Sequence, residues 1–235
     1  RIDHLLTEQF LPLPEQLRSL LLEQPDTLES SDDDLYDPHA YVARSRPKAK
    51  KFPAATLEAN TVIVSCGMLN LEESAYANGT SQRFRKHFGR RKVEVSHFEK
   101  HPNDAKAFLD SFKDNFPELC KDRNIIVVDA TRFSNPEHDK SLRSHLGTHH
   151  ETMKEIVESR DFAITNAPLR RLRADKKNLV INVCRSGRHR SVANTECQQP
   201  VVQDQLYGPV GPQHTPECRV QMFHLQADTH WEHMC

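Results

Sequence analysis

Runs of consecutive Val and Ile recur along the chain, and between them apolar residues fall three and four apart. Thr61-Val62-Ile63-Val64-Ser65-Cys66 is one such run, closed by Gly67, and predicts a buried strand. Arg91 to Phe98 alternates through Val93, Val95 and Phe98, a strand pattern. Asn103 to Phe116 instead carries Ala107, Phe108, Leu109, Phe112 and Phe116 at helical spacing. Asn124-Ile125-Ile126-Val127-Val128 gives the strongest strand signal, and Thr148 to Ser159 predicts a helix through Met153, Ile156 and Val157. Leu179-Val180-Ile181-Asn182-Val183 is the next strand, His189 to Gln199 the next helix, and Arg219 to Leu225 a final strand. Continuous apolar runs separated by helices are the mark of a parallel sheet covered on both faces. The expected fold class is α/β: a mainly parallel sheet with flanking helices and a phosphate-binding strand-loop-helix after Val183.

The chain before Leu57 has a different pattern. Leu17, Leu20, Leu21 and Leu22 have helical spacing after an interruption by Pro12 and Pro14. An acidic run, Glu29-Ser30-Ser31-Asp32-Asp33-Asp34, is followed by the basic, proline-bearing Arg44-Ser45-Arg46-Pro47-Lys48-Ala49-Lys50-Lys51. Self-repelling charge blocks beside prolines predict a solvated linker. Residues 1–56 are thus expected as a helical and charged arm, largely irregular, with the α/β domain over 57–235.

Composition sharpens this division. Only 37% of the 235 residues are hydrophobic, so part of the chain is expected outside any core. The net charge of −1 conceals an asymmetry. Asp26 to Asp37 holds six acidic residues and no basic one, whereas Arg160 to Arg190 holds nine Lys and Arg against Asp161 and Asp175. The second segment favours an anionic partner. No apolar run approaches the roughly 18 residues needed to span a bilayer, and no signal-peptide pattern opens the chain. Six cysteines without a CxxC pair predict reduced thiols in an intracellular, cytoplasmic setting.

Candidate chemistry concentrates at Cys184-Arg185-Ser186-Gly187-Arg188-His189-Arg190-Ser191. Ligands of parallel α/β sheets sit beyond the carboxyl ends of the strands, where Cys184 follows Val183. Gly187 allows the backbone to curl so that successive N–H groups form an anion nest, and the following helix adds the positive end of its dipole. Arg190 is spaced to grip two phosphate oxygens bidentately. Ser191 is placed to hydrogen-bond a thiolate or to cap the helix. A thiol at a helix N-terminus beside arginines is expected to have a lowered pKa. Cys-x5-Arg-Ser is the spacing of the Cys-dependent phosphatase loop, so an alternative reading makes Cys184 a nucleophile and Arg190 a transition-state clamp. Asp129, Asp139, Asp161 and Asp175 are its candidate acids, none in a recognisable acid-loop motif. A second constellation, Asp129 to Pro136, ends the preceding strand at the same face. There Asp129 is suited to accept hydrogen bonds from sugar hydroxyls, and Asn135-Pro136 to fix a turn.

Three strings together resemble a known family: Asp129…Arg132-Phe133…Asn135-Pro136, then Leu142-Arg143-Ser144-His145-Leu146-Gly147, then Val183 through Val192. They are similar to the C-terminal domain of RapZ, the RNase adapter protein, over about residues 124–230, including the last strand and His224. That resemblance implies a regulatory domain that binds an amino-sugar phosphate and RNA and is not established as an enzyme; no cofactor is expected. It maps the phosphate site to Cys184, Ser186, Gly187, His189 and Arg190, with Asp129 and Asn135 facing the sugar. The loop has Ser186-Gly187 where the family usually has two glycines, and no Gly-x4-Gly-Lys-Ser/Thr string is present. The expected partners are a phosphorylated small molecule (a phosphosugar or nucleotide) and RNA.

Two further patterns carry less. Arg83 to Lys92 interleaves bases with aromatics, a composition suited to phosphate contacts and stacking, but Phe84 and Phe88 are four apart and fit better the buried face of a solvated amphipathic helix. His145/His149/His150 and His230/His233/Cys235 lack full four-ligand zinc spacing, so no metal is expected.

Overall fold

The computed structural model describes residues 52–68, 96–134, 146–185, 187–208 and 219–225. The arm before Phe52, the Arg83 to Lys92 segment, Val93, Val95, Asn135, Leu142 to His145, Ser186 and the His230/His233/Cys235 group lie outside these residues.

The described elements are helix α1 (Ala54–Glu58), strand β1 (Thr61–Gly67) and helices α2 (His97–Lys100), α3 (Pro102–Asn115) and α4 (Pro117–Cys120). Strand β2 (Asn124–Asp129) and a 3-10 turn (Ala130–Arg132) follow, then α5 (His150–Glu158), α6 (Phe162–Asn166) and a second 3-10 segment (Ala167–Arg171). Strand β3 (Asn178–Cys184), the long helix α7 (Arg190–Tyr207) and strand β4 (Val220–His224) complete them. The four strands form one sheet in the order β2-β3-β1-β4, all parallel. The α/β class expected from the apolar runs is the fold observed.

The sheet is covered on both faces. Val62, Val64, Leu179, Ile181 and Val183 point into a core with Phe108, Phe112 and Leu119 of α3 and α4. Ile63, Ile126, Val128, Val180 and Val220 point the other way, onto Val202 of α7 and Leu169 and Leu172. This two-sided burial explains why β1 and β3, each buried at all seven positions, appear in sequence as unbroken apolar runs.

Three expectations need correction, and one is refined. Phe98 belongs to helix α2, not to a strand: the Ser96 hydroxyl accepts from the Glu99 amide while Glu99 accepts from the Ser96 amide, a capping box that starts a helix there. The Asn124 to Val128 run is the strand expected, continued to Asp129 as β2, but it forms an edge of the sheet and only two of the six residues of β2 are buried. Helix α7 continues through Pro200 to Tyr207 instead of stopping at Gln199. Burial of Cys197 and Gln198 before the proline and Val202 after it offsets the lost intrahelical bond. Finally, the packed domain reaches back past Leu57. Phe52 stacks edge-on against Phe116 and Phe223 at 5.7 and 5.0 Å, and Arg123 gathers the carbonyls of Leu57 (2.7 Å), Ala59 (2.9 Å) and Asn178 (3.1 Å).

Among the described residues no helix is long and apolar enough to cross a membrane.

Candidate functional site: the loop after strand β3

Strand β3 delivers Cys184 to the carboxyl edge of the sheet, paired with Gly67 of β1. On its other side Asp129 pairs with Val183, so Asp129 and Cys184 end adjacent strands at one edge. Gly187 has φ +74°, a left-handed conformation that a side chain would strain. This turn directs the Gly187 amide onto Cys184 Sγ at 3.2 Å, and Ser191 Oγ approaches the same sulfur at 3.1 Å. Ser191 lies inside α7, so of its two expected roles it takes the thiol contact and not the cap; the N-cap position is His189, with no side-chain capping bond.

Arg190 is only 6% exposed. Its Nη1 donates to the carbonyls of Thr131 (3.0 Å) and Phe133 (3.1 Å), which ties the loop to the turn after β2. Cys184, His189 and Ser191 are also buried, whereas Arg185 and Arg188 are the half-exposed members of the loop. Beneath it, Cys184 packs with Ala130, Phe133, Ile156 and Ala193. Two other thiols are held protonated: burial pushes Cys197 up to about 12 and Cys120 up to about 11.

Asp129 shares the edge, but its carboxylate is engaged within the chain. It accepts from the Phe98 amide (2.7 Å), the Thr131 amide (3.0 Å) and the Thr131 hydroxyl, capping the 3-10 turn and holding the start of α2. Burial raises its pKa, opposed by the bonds from Thr131, Phe98 and Ser96. Arg132 turns away from the loop, to Glu99 at 3.0 Å and Asp161 at 3.3 Å. The basic segment between Arg160 and Arg190 is likewise divided. Arg171, Arg173, Lys176 and Lys177 precede β3 and so lie at the sheet's amino edge, one strand length of about 20 Å from Cys184.

Two arrangements were not legible in the sequence. Gly147 donates its amide to the Arg188 carbonyl at 3.1 Å, and a Cβ there would stand 2.3 Å from His189 O and 2.6 Å from Val192 Cβ. Only glycine allows this approach. The second is a buried amide cluster under the loop: Asn182 of β3 donates to Gln198 (2.6 Å) and Thr195 (2.9 Å), and accepts from Asn194 (2.7 Å). Asn166 of α6 closes it, accepting from Gln198 at 2.6 Å. These bonds fix α7, and hence the loop, in one register against β3.

A Ser-His-carboxylate string also exists. Ser65 Oγ is 2.7 Å from His224 Nδ1, and His224 Nε2 is 2.9 Å from Glu196 Oε1. Ser65 is fully buried, so this string links β1, β4 and α7 and presents no nucleophile. Among the described residues no group of His, Cys, Asp and Glu is arranged to hold a metal ion. The chain matches no family model, no curated protein and no solved structure.

Proposed function

We propose that the loop from Cys184 to Ser191 binds the phosphate group of a small phosphorylated ligand, a phosphosugar or a nucleotide, and that the domain acts by binding and not by catalysis. The observation that carries this reading is the convergence of the Gly187 amide and the Ser191 hydroxyl on Cys184 Sγ at 3.2 and 3.1 Å. A left-handed glycine turns backbone donors inward at the start of an 18-residue helix, where donors and dipole together favour an anion. Arg185 and Arg188 supply charge at the mouth. The resemblance to the RapZ C-terminal domain supports the same site and extends the proposal to RNA, whose phosphates offer the same chemistry. Asp129 and Asn135 enter that proposal differently: Asp129 acts by holding the 130–132 turn against which Arg190 rests, and Asn135 as a sugar contact follows from the resemblance. A thermal-shift screen of the full chain against phosphosugars, nucleotides and RNA tests the reading. Stabilisation by a phosphorylated compound, and none by its dephosphorylated form, is the expected result.

One observation favours a second reading, a Cys-dependent phosphatase. The Gly187 amide donates to Cys184 Sγ and the Ser191 hydroxyl stands 3.1 Å from it, which places the sulfur at the head of the loop where a nucleophile would stand. Against it, Cys184 is only 2% exposed, Asp129 is consumed by three internal donors, and Asp161 is held by Arg132. Steady hydrolysis of an aryl phosphate that vanishes in Cys184→Ser would establish the enzyme.

A further inference from the structure

The amino edge of the sheet carries an excess of positive charge. Arg170, Arg171, Arg173, Lys176 and Lys177 fall within eight residues before β3, and all five are exposed. The turn that bears them is fixed to the sheet. Asn178 donates to the carbonyls of Arg173 (2.8 Å) and Lys176 (2.9 Å), and Asn124 donates to that of Arg171 at 3.0 Å. Asp175 pairs with Arg173 at 2.9 Å. Among the described residues Arg170, Arg171, Lys176 and Lys177 form no ion pair. Lys121 and Arg219 extend the charge along the same edge, against Glu58 and Asp122. Like charges held this close repel one another, and an anionic partner relieves the repulsion.

The chain itself contains such a partner. Asp26, Glu29, Asp32, Asp33, Asp34 and Asp37 follow one another with no Lys or Arg between them. The arm that bears them joins the domain at the same edge. Residues 56–60 run along it: Arg123 donates to the Leu57 carbonyl at 2.7 Å, and the Asn60 carbonyl accepts from the Asn178 amide at 2.8 Å, one residue from Lys177. The four strands of this edge span only about 15 Å. Asp37 stands fifteen residues before Phe52. A flexible chain of that length covers about 20 Å, and an extended one about 50 Å. The acidic run is therefore within reach of the basic turn, and its tether gives it a local concentration on the order of millimolar.

We propose that the acidic run from Asp26 to Asp37 docks onto the basic turn 170–177, so that the chain's own arm covers this edge and competes there with acidic peptides of other proteins. Ion pairing with a turn already fixed by Asn178 and Asn124 costs little ordering on the basic side. Surface ion pairs are individually weak and screened by salt, so the contact rests on several at once and on the tether. The basic run Arg44 to Lys51 is nearer to the acidic one in sequence and is the rival site to be excluded. This edge lies a strand length from the phosphate loop, and its occupant does not depend on what the loop binds.

Carbodiimide coupling of the full chain tests the contact directly, because it joins only carboxylates and amines that touch. Mass spectrometry should find links from residues 26–37 to Lys176 or Lys177 within one molecule, fading by about 0.5 M salt. No link to either lysine, or links formed only between two copies, would overturn the proposal. Fluorescence polarisation with a labelled hexaglutamate peptide tests the competition. Neutralising the run (Asp26→Asn, Glu29→Gln, Asp32→Asn, Asp33→Asn, Asp34→Asn and Asp37→Asn) should tighten peptide binding at least about tenfold, because the tethered competitor is gone. Adding Arg170→Glu, Arg171→Glu, Lys176→Glu and Lys177→Glu, all at exposed positions, should return it to the parent level or below. Equal binding by the parent and the neutralised protein overturns the proposal. So does tightened binding that survives the reversal, which would give the acidic run to Arg44 to Lys51.

Discussion

The Arg190 guanidinium donates to the Thr131 carbonyl at 3.0 Å, so the residue best suited to grip an anion is braced against the end of the neighbouring strand. Thr131 is in turn held by Asp129, through both its amide and its hydroxyl. The loop after β3 and the turn after β2 are therefore one mechanical unit, with Asp129 two bonds from the arginine.

Replacing Arg190 with Lys keeps the charge and loses the planar fork that reaches Thr131 and Phe133 while presenting further N–H groups. Arg190→Lys should weaken binding of a phosphorylated ligand by about tenfold or more. Calorimetry giving equal affinities would make Arg190 purely structural.

Gly147→Ala tests the close approach beneath the loop. A methyl group 2.3 Å from His189 O faces backbone on two sides and cannot be relieved by a rotamer change. Destabilisation of about 1–3 kcal/mol is expected, measured by urea unfolding, together with weaker ligand binding. A variant as stable as the parent would show that the Gly147 segment shifts freely.

Asn182→Leu removes the hub of the amide cluster and strands the side-chain donors of Asn194 and Gln198 in the core. Each orphaned group costs about 1–3 kcal/mol, so the loss should exceed that of an ordinary core substitution. The measurement is again urea unfolding; a neutral outcome would mean that Asn166 and Thr195 re-pair the cluster unaided.

The pH dependence of stability should carry the mark of Asp129. Burial raises its folded pKa above the ordinary 3.8, so the proton is held more tightly in the folded state. The stability linked to that proton is complete below the unfolded value and is lost as pH rises through the folded one. Compared with Asp129→Asn, the parent protein should therefore lose relative stability as pH climbs from the ordinary aspartate range. Melting curves of the two proteins that stay parallel across that range would contradict the shift.

What the sequence disclosed follows from local pattern. Strands buried on both faces, such as Val62-Ile63-Val64 and Leu179-Val180-Ile181, announce themselves as unbroken apolar runs, and the parallel sheet followed from them. The strand-loop-helix around Gly187 was legible because a left-handed turn needs glycine. Relations between distant segments were not. Nothing near Asn182 in sequence marks it as the partner of Gln198, because its neighbours are apolar and its hydrogen bonds cross to another element. The apolar run of β2 gave no hint of its edge position, since side-chain composition does not record which strands flank it. Asp129 was placed at the right edge, yet its internal donors come from Phe98 and Thr131, and the former lies 31 residues away. The basic segment between Arg160 and Arg190 looked like a single patch because linear charge density ignores the strand that divides it.

On the proposed reading, the domain recognises a phosphate group held by the loop from Cys184 to Ser191. Calorimetry under reducing conditions, with an amino-sugar phosphate and the same sugar without its phosphate, tests it on the parent protein and on Cys184→Ser. Saturable binding of the phosphorylated compound alone is expected, retained in Cys184→Ser because backbone amides and Arg190 supply the grip, with no hydrolysis in either protein. Equal binding of both sugars, or turnover by the parent that disappears in Cys184→Ser, would contradict it.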